Sequence, residues 1–300
     1  MSVPVLLVTG FLGAGKTTFI NELLLDAGGM RIAAIVNDFG SINIDATLLE
    51  SATDEVIGLK NGCICCSLQG DLLRTLRQVL RNGSPDLVVI EASGVADPAG
   101  IAQALMDPVL IGAAALDSIV CIVDAEDLAN DPARWQDPLW RAQLAAADVV
   151  QLSKVTPGDG LDSVVARLGA LGKVALGADG STLAVRDLIG RAGVRLVPGR
   201  RPVLDSGRFA SLEWTCAGTV PMAAFQQVIG RLSGSLLRAK GLIRFTEKPG
   251  DCLLFQMVGK RASLSPSGLD LPGCRLVLIG DASAFDTEAA RAALEALAQE

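Results

Sequence analysis

The segment Gly10-Phe11-Leu12-Gly13-Ala14-Gly15-Lys16-Thr17-Thr18 constrains the fold more than any other stretch of this chain. It follows an apolar strand-like run, Val5 to Thr9, and opens a helical pattern, Thr17 to Leu25. The match to G-x-x-x-x-G-K-[ST] therefore sits in the strand, loop, helix setting that gives the motif its meaning. Glycines let successive peptide N–H groups turn inward, and the helix N-terminus adds its dipole, so the loop is suited to wrapping phosphates. A chance glycine turn at a helix start does not account for the full context. Gly10, Gly13, Ala14 and Gly15 supply the wrapping backbone. Lys16 is placed to reach the β- and γ-phosphates, Thr17 to ligate Mg²⁺, and Thr18 to contact the α-phosphate.

The pattern on either side agrees. From Val3 to about Ala147, Val/Ile/Leu runs alternate with amphipathic stretches: RIAAIVND, DLLRTLRQVLRNG, DLVVIEASG, SIVCIVDA, then a helix in WRAQLAAAD and a strand from Asp148 to Leu152. Continuous apolar runs of this kind are what strands covered on both faces look like, which predicts a mostly parallel α/β sheet. Mg²⁺ wants a second oxygen ligand at a strand end near the phosphates. Glu91, ending the run Leu87 to Ile90, fits that place. Gly94, three residues later, could give its backbone N–H to the γ-phosphate. Asp38, after the strand Ile32 to Val36, is a further candidate near the metal and the attacking water, its bland reading being a turn residue before Gly40. After Thr156 the chain becomes glycine-rich and less periodic.

Composition excludes several classes. A net charge of -7 offers no broad positive field, so nucleic acid is not an expected partner. The most apolar stretch, Val109 to Val123, is broken by Asp117 and falls short of the roughly 20 residues a membrane-spanning helix needs. It reads as a helix end followed by a buried strand, and no membrane partner is expected. The N-terminal apolar run lacks a basic leader, so it does not read as a signal peptide and a cytoplasmic protein is expected. With 0 His, imidazole catalysis and every His-containing metal site are impossible in this sequence.

Of 7 cysteines, Cys63, Cys65 and Cys66 fall within one tetrapeptide, before a helix predicted from Leu68 to Leu80. Thiols crowded near a helix N-terminus form a thiolate cluster suited to soft or borderline ions such as Zn²⁺, with further ligands coming from elsewhere. A redox pair or buried structural thiols are the alternatives. Cys121, Cys216, Cys252 and Cys274 lie in or beside strand-like runs and read as core residues. Three thiols do not by themselves select Zn²⁺ over Co²⁺.

A basic, proline-containing stretch from Gly199 to Asp205 reads as a linker between an α/β domain at residues 1–200 and a smaller C-terminal α+β domain at 207–300. The second unit reads as strand (Phe209 to Cys216), helix (Met222 to Leu232), strand (Leu236 to Phe245), strand (Cys252 to Val258), a short run near Lys260, strand (Arg275 to Ile279) and a last helix from about Phe285, with helices on one face of the sheet.

In order, GFLGAGKTT, VNDFG, NGCICC and IEASGVADP resemble the CobW family of metallochaperone GTPases, whose pattern places C-x-C-C between the P-loop and an E-x-x-G motif. RAKGLIRF and LLFQMVGKR look like that family's smaller second domain. The resemblance implies a P-loop GTPase that binds GTP and Mg²⁺, holds Zn²⁺ or Co²⁺ at Cys63, Cys65 and Cys66, and delivers the metal to a client metalloprotein or a cofactor-synthesis enzyme. A thiolate site shared between two chains, in a metal- or nucleotide-dependent homodimer, would complete the coordination. Two departures stand out. The guanine-reading [N/T]-K-x-D appears as Ser153-Lys154-Val155-Thr156: Lys154 can pack on the base, but Thr156 cannot accept the bidentate pair that an Asp would. The His residues that family members often carry near the metal are absent. The rival readings are a P-loop ATPase or kinase with structural cysteines, and a nucleotide-sensing scaffold that does not hydrolyse.

Overall fold

The computed structural model describes residues 2–36, 56–58, 68–110, 112–189, 209–258 and 261–298. The N-terminal unit is built on seven strands: β1 (Val3–Thr9), β2 (Ile32–Val36), β3 (Val56–Gly58), β4 (Leu87–Glu91), β5 (Ala114–Asp124), β6 (Val149–Ser153) and β7 (Ala175–Leu176). They form one sheet in the order β3-β2-β4-β1-β5-β6-β7, and every pairing is parallel. Parallel neighbours need crossovers, which the helices supply. In chain order they are α1 (Lys16–Leu25), α2 (Leu68–Asn82), α3 (Pro98–Leu105), α4 (Ala125–Asn130), α5 (Pro138–Ala146), α6 (Asp159–Ala170) and α7 (Val185–Leu188), with 3-10 turns at Pro108–Leu110 and Pro132–Gln136.

The central strand β1 is buried on both faces. Val5 and Leu7 belong to a core with Leu72, Leu76 and Val79 of α2 and Ile101, Ala102 and Leu105 of α3. Leu6 and Val8, pointing the other way, are equally enclosed. The spacing of Leu72, Leu76 and Val79 gives α2 one apolar stripe, which is why it packs as a helix on the sheet. Asp117, the charge that interrupts the long apolar run, stands where the β1–β5 register shifts: Val5 pairs Leu116 and Leu6 pairs Ser118. A bulge absorbs one residue and takes Asp117 out of the ladder. The predicted helix end before it is the short 3-10 turn.

Several elements lie outside the periodicity reading: β3, β7 and the helices α3, α4, α6 and α7. Helix α6 lies in the stretch that looks too glycine-rich to be regular. Gly160 and Gly169 mask its stripe, Val164 and Leu168, which is fully buried. Helix α3 is brief and lacks long periodicity; what starts it is Asp97, whose side chain accepts from the Ala99 N–H at 2.9 Å, followed by Pro98 at the first helical position.

The C-terminal unit contains β8 (Phe209–Cys216), α8 (Met222–Leu232), β9 (Leu236–Phe245), β10 (Lys248–Val258), β11 (Arg261–Pro266), β12 (Cys274–Asp281) and α9 (Thr287–Leu297). Its five strands run in the order β11-β10-β9-β12-β8, all antiparallel. Both helices feed one core. Val228 and Ile229 of α8 and Ala290, Leu294 and Leu297 of α9 join Trp214, Leu276 and Leu278 there. Phe225 of α8 meets Phe245 and Phe255 edge-on, with ring centroids 5.6 and 5.1 Å apart, the geometry that aromatic quadrupoles favour. The expected α/β unit with a smaller α+β unit is thus present. The expected linker residues lie outside the described residues.

The tightest point of the N-terminal fold is Gly10, where β1 ends with φ +141°. A Cβ there would lie 2.3 Å from the Ile122 carbonyl oxygen of β5. Gly10→Ala combines backbone strain with backbone overlap, each costing about 1–3 kcal/mol. A loss of about 2 kcal/mol or more is expected, read as a lower urea midpoint with an unchanged slope.

Candidate functional site

The glycine-rich loop leaves β1 at Gly10 and turns into α1 through Gly15, a left-handed N-cap with φ 94° and ψ 20°. That conformation suits glycine because it has no Cβ to clash. The turn is closed by the Ala14 N–H donating to the Phe11 carbonyl at 3.2 Å, and the helix begins with the Phe19 N–H on the Gly15 carbonyl at 2.9 Å.

Lys16 is only 4% exposed, a place where an ammonium needs partners. It donates to the carbonyls of Gly10 at 3.0 Å and Phe11 at 3.2 Å, which curls the side chain back along the loop. Thr17, one residue on, donates its hydroxyl to both Glu91 carboxylate oxygens at 3.2 and 3.4 Å, a contact between residues 74 apart in sequence. Glu91 is buried at the end of β4, beside β1, so the strand order itself brings it there. Two hard oxygens at a helix N-terminus are the donor chemistry that Mg²⁺ prefers, so the residues present fit that ion. Gly94 lies against the loop: a Cβ built on it would be 2.8 Å from Leu12 Cδ2 and 2.9 Å from Leu12 Cα and N. Ala14 is buried, whereas Thr18 is exposed on the first turn of α1.

Ser153 and Lys154, at the end of β6, also reach this end of the sheet. The Ser153 hydroxyl donates to the Ala14 carbonyl at 2.6 Å and so ties β6 to the phosphate loop. Lys154, held at φ 50°, pairs its ammonium with Asp124 at 2.6 Å. Asp38, Cys63, Cys65 and Cys66 lie outside the described residues.

Residues that periodicity did not single out complete the surroundings. Asp124 ends β5 as Glu91 ends β4, and it also caps α4 by accepting from the Asp127 N–H at 3.0 Å. An acid closing an apolar run was the available signal. The Arg134 guanidinium carbon stands 3.9 Å from the centre of the Phe11 ring and is paired with Asp127 at 2.8 Å. Gln143 of α5 is fully buried and donates to the Gly94 carbonyl at 3.1 Å and the Ala96 carbonyl at 3.3 Å. Nothing in a one-dimensional pattern marks Arg134 or Gln143.

A profile of the CobW/HypB/UreG nucleotide-binding domain matches residues 4–171. The chain belongs to the CobW/HypB/UreG family. A second profile, the cobalamin synthesis protein CobW C-terminal domain, matches residues 209–298. The chain is 38% identical over 182 residues to the zinc chaperone CobW of Pseudomonas aeruginosa, a match covering 51% of this chain and 48% of that protein. It is 37% identical over 158 residues to the zinc chaperone YjiA of Escherichia coli, covering 51% and 49%. The chain thus spans about half the length of the curated relatives it matches. Among solved structures, the Zn(II)-bound YjiA GTPase from E. coli aligns over 99% of both chains with 26% identity and a TM-score of 0.43.

Within this CobW-family chain, the described cysteines Cys121, Cys252 and Cys274 are buried and Cys216 is half-buried against the C-terminal core. Burial pushes the Cys121 thiol up to about 12 and the Cys274 thiol up to about 11, so neither offers a thiolate at neutral pH. Among the described residues, no group of three or more Cys, Asp or Glu is arranged to hold a metal ion, and no helix is long and apolar enough to cross a membrane.

Two outcomes are expected. Glu91→Gln removes the charge opposite Thr17; hydrogen bonds to charged groups contribute about 1.5–3 kcal/mol. Affinity for a triphosphate in Mg²⁺ should fall about tenfold or more, with a smaller change in EDTA, as read by calorimetry. Separately, the Cys121 thiol is held protonated in the folded state, so folding binds this proton more tightly than the unfolded chain does. The stability it contributes is full below pH 9.0 and is lost as pH rises toward about 12. Cys121→Ala should flatten the alkaline limb of a denaturant-stability curve, and wild-type Cys121 should resist a thiol reagent until the chain unfolds.

Proposed function

We propose that this chain is a GTP-hydrolysing metallochaperone that carries a divalent ion, Zn²⁺ in the first place, on Cys63, Cys65 and Cys66. The reading rests above all on the Thr17 hydroxyl held against the Glu91 carboxylate one residue beyond the buried Lys16. A structural glycine turn needs neither a buried ammonium nor an acid brought from another strand. Lys16 would exchange its loop carbonyls for β- and γ-phosphate oxygens, a trade of neutral acceptors for charged ones that favours the nucleotide. Thr17 and Glu91 would hold Mg²⁺, which when bound would supply neutralisation of phosphate charge. Gly10, Gly13, Ala14 and Gly15 wrap the phosphates, Thr18 meets the α-phosphate, and Ser153 and Lys154 face the base. Asp38 orients the attacking water, and Gly94 reports the γ-phosphate through its backbone N–H.

The names of the relatives, zinc chaperones in Pseudomonas aeruginosa and Escherichia coli, support Zn²⁺ as cargo. The three thiols stand in sequence between Asp38 and Glu91, so loss of the γ-phosphate can move the segment that presents them. Co²⁺ is the competing cargo, because thiolates bind both ions. Release is to a client metalloprotein or a cofactor-synthesis enzyme, and a homodimer sharing thiolates would complete a tetrahedral site. Thr156 favours a second reading in one respect: without a carboxylate to accept the guanine N–H groups, ATP competes with GTP.

The test is a competition titration of Zn²⁺ and Co²⁺ on anaerobically reduced protein with Mg²⁺ and a non-hydrolysable GTP analogue, with GDP, with the ATP analogue, and with no nucleotide. The expected result is a shift in metal affinity of more than about tenfold between the GTP analogue and GDP, roughly 1.4 kcal/mol of coupling, abolished when Cys63, Cys65 and Cys66 are all changed to Ser. An equal metal affinity in every nucleotide state sinks the chaperone reading and leaves an ATPase with structural cysteines.

A further inference from the structure

Helix α5 carries a buried amide to which the phosphate-site roles above assign no task. Gln143 is 0% exposed, and its Nε2 donates to two carbonyls of one loop, Gly94 and Ala96. Its Oε1 has no hydrogen-bond partner among the described residues. A half-satisfied amide is a poor choice for packing a helix, where an apolar side chain of the same size is more favourable. Its two donor bonds are what the position gains. They hold the segment by its carbonyls, while the Leu12 backbone occupies the space that a Cβ on Gly94 would need, 2.9 Å away. Gly94 is therefore packed on the phosphate loop and bonded to Gln143.

The helix that holds the amide is itself keyed to the phosphate loop. Asp137 caps α5 by accepting from the Leu139 and Trp140 N–H groups at 2.9 and 3.0 Å. Just before it, the turn Pro132–Gln136 places Arg134 over the Phe11 ring and Trp135 edge-on to Trp140, centroids 5.3 Å apart. Phe11 and Gly94 are thus referenced to the same rigid element at two points.

We propose that Gln143 is a positioning residue for the triphosphate-dependent step, holding the Gly94–Ala96 segment in the conformation that reads the γ-phosphate. The proposal rests on the assignment of Gly94 as the γ-phosphate sensor. A purely structural glutamine would affect GDP and GTP states alike. A positioning one acts only where the γ-phosphate is present, because GDP does not touch the segment.

Gln143→Glu keeps the shape but replaces the donor with a carboxylate, and Gln143→Met keeps the volume with no donor. Single-turnover GTP hydrolysis and the affinities for GDP and a non-hydrolysable GTP analogue are measured for both beside wild type. A displacement of about 1 Å at such a site costs on the order of 10²-fold, so the saturating rate should fall about tenfold or more. The analogue should bind more weakly and GDP as before. The Gln143→Glu deficit should shrink as pH falls, since a protonated carboxyl regains one donor. Wild-type rates in both variants, or equal losses of GDP and analogue, overturn the proposal. If neither variant folds, the Gln143 side-chain amide resonance of wild type decides: it should shift when the GTP analogue replaces GDP, and an unchanged resonance overturns the proposal. A wild-type protein that hydrolyses no nucleotide brings down the nucleotide reading as well, which separates the two failures.

Discussion

The close seating of the Gly10–Lys16 loop on its neighbours governs the rest of the N-terminal unit. Gly10 approaches the Ile122 carbonyl of β5 at a distance no side chain permits, Gly94 lies on the Leu12 backbone, and Ser153 donates to the Ala14 carbonyl. Three strands besides β1 are thereby referenced to one loop. Backbone-to-backbone contact of this kind is rigid because it has no rotamer freedom, so the N–H groups of the loop are preorganised before any anion arrives.

The parallel sheet makes this convergence inevitable. All strands run the same way, so the C-terminal ends of β1, β4, β5 and β6 open on one edge and deliver Gly10, Glu91, Asp124 and Ser153 there. Ligands of open α/β sheets bind at that edge. The buried charges follow from the same geometry. Lys16 and Glu91 are both 4% exposed, and each is tolerated because it is hydrogen-bonded within the loop and first turn. The C-terminal unit is antiparallel and built around its aromatic cluster.

The cysteines divide by environment. Cys121 and Cys274 lie in buried strands where desolvation suppresses the thiolate, and Cys252 is buried in β10. In the proposed function the metal is carried by the C-x-C-C tetrapeptide. Strand burial, visible as an apolar run around Cys121, was enough to make the distinction in advance.

Strand and helix positions in this chain were largely legible from hydrophobic period, because β1, β2 and β4 are covered on both faces and their apolar runs are unbroken. The phosphate loop was legible because its chemistry is local: glycines, a lysine and a threonine within nine residues. Glu91 could be chosen as its partner because it ends an apolar run. Helices α3 and α6 were hidden, the first by its brevity and the second by glycines that break the visible stripe. Arg134 over Phe11, Asp124 on Lys154 and Gln143 beneath Gly94 were beyond reach for a different reason. Each is a contact between residues far apart in sequence, and a linear pattern carries no information on which strand lies beside which. The sequence by itself determined the elements, the loop and the candidate thiolates. The order of strands in the sheet, set by crossover packing rather than by any one segment, decided which side chains meet the loop.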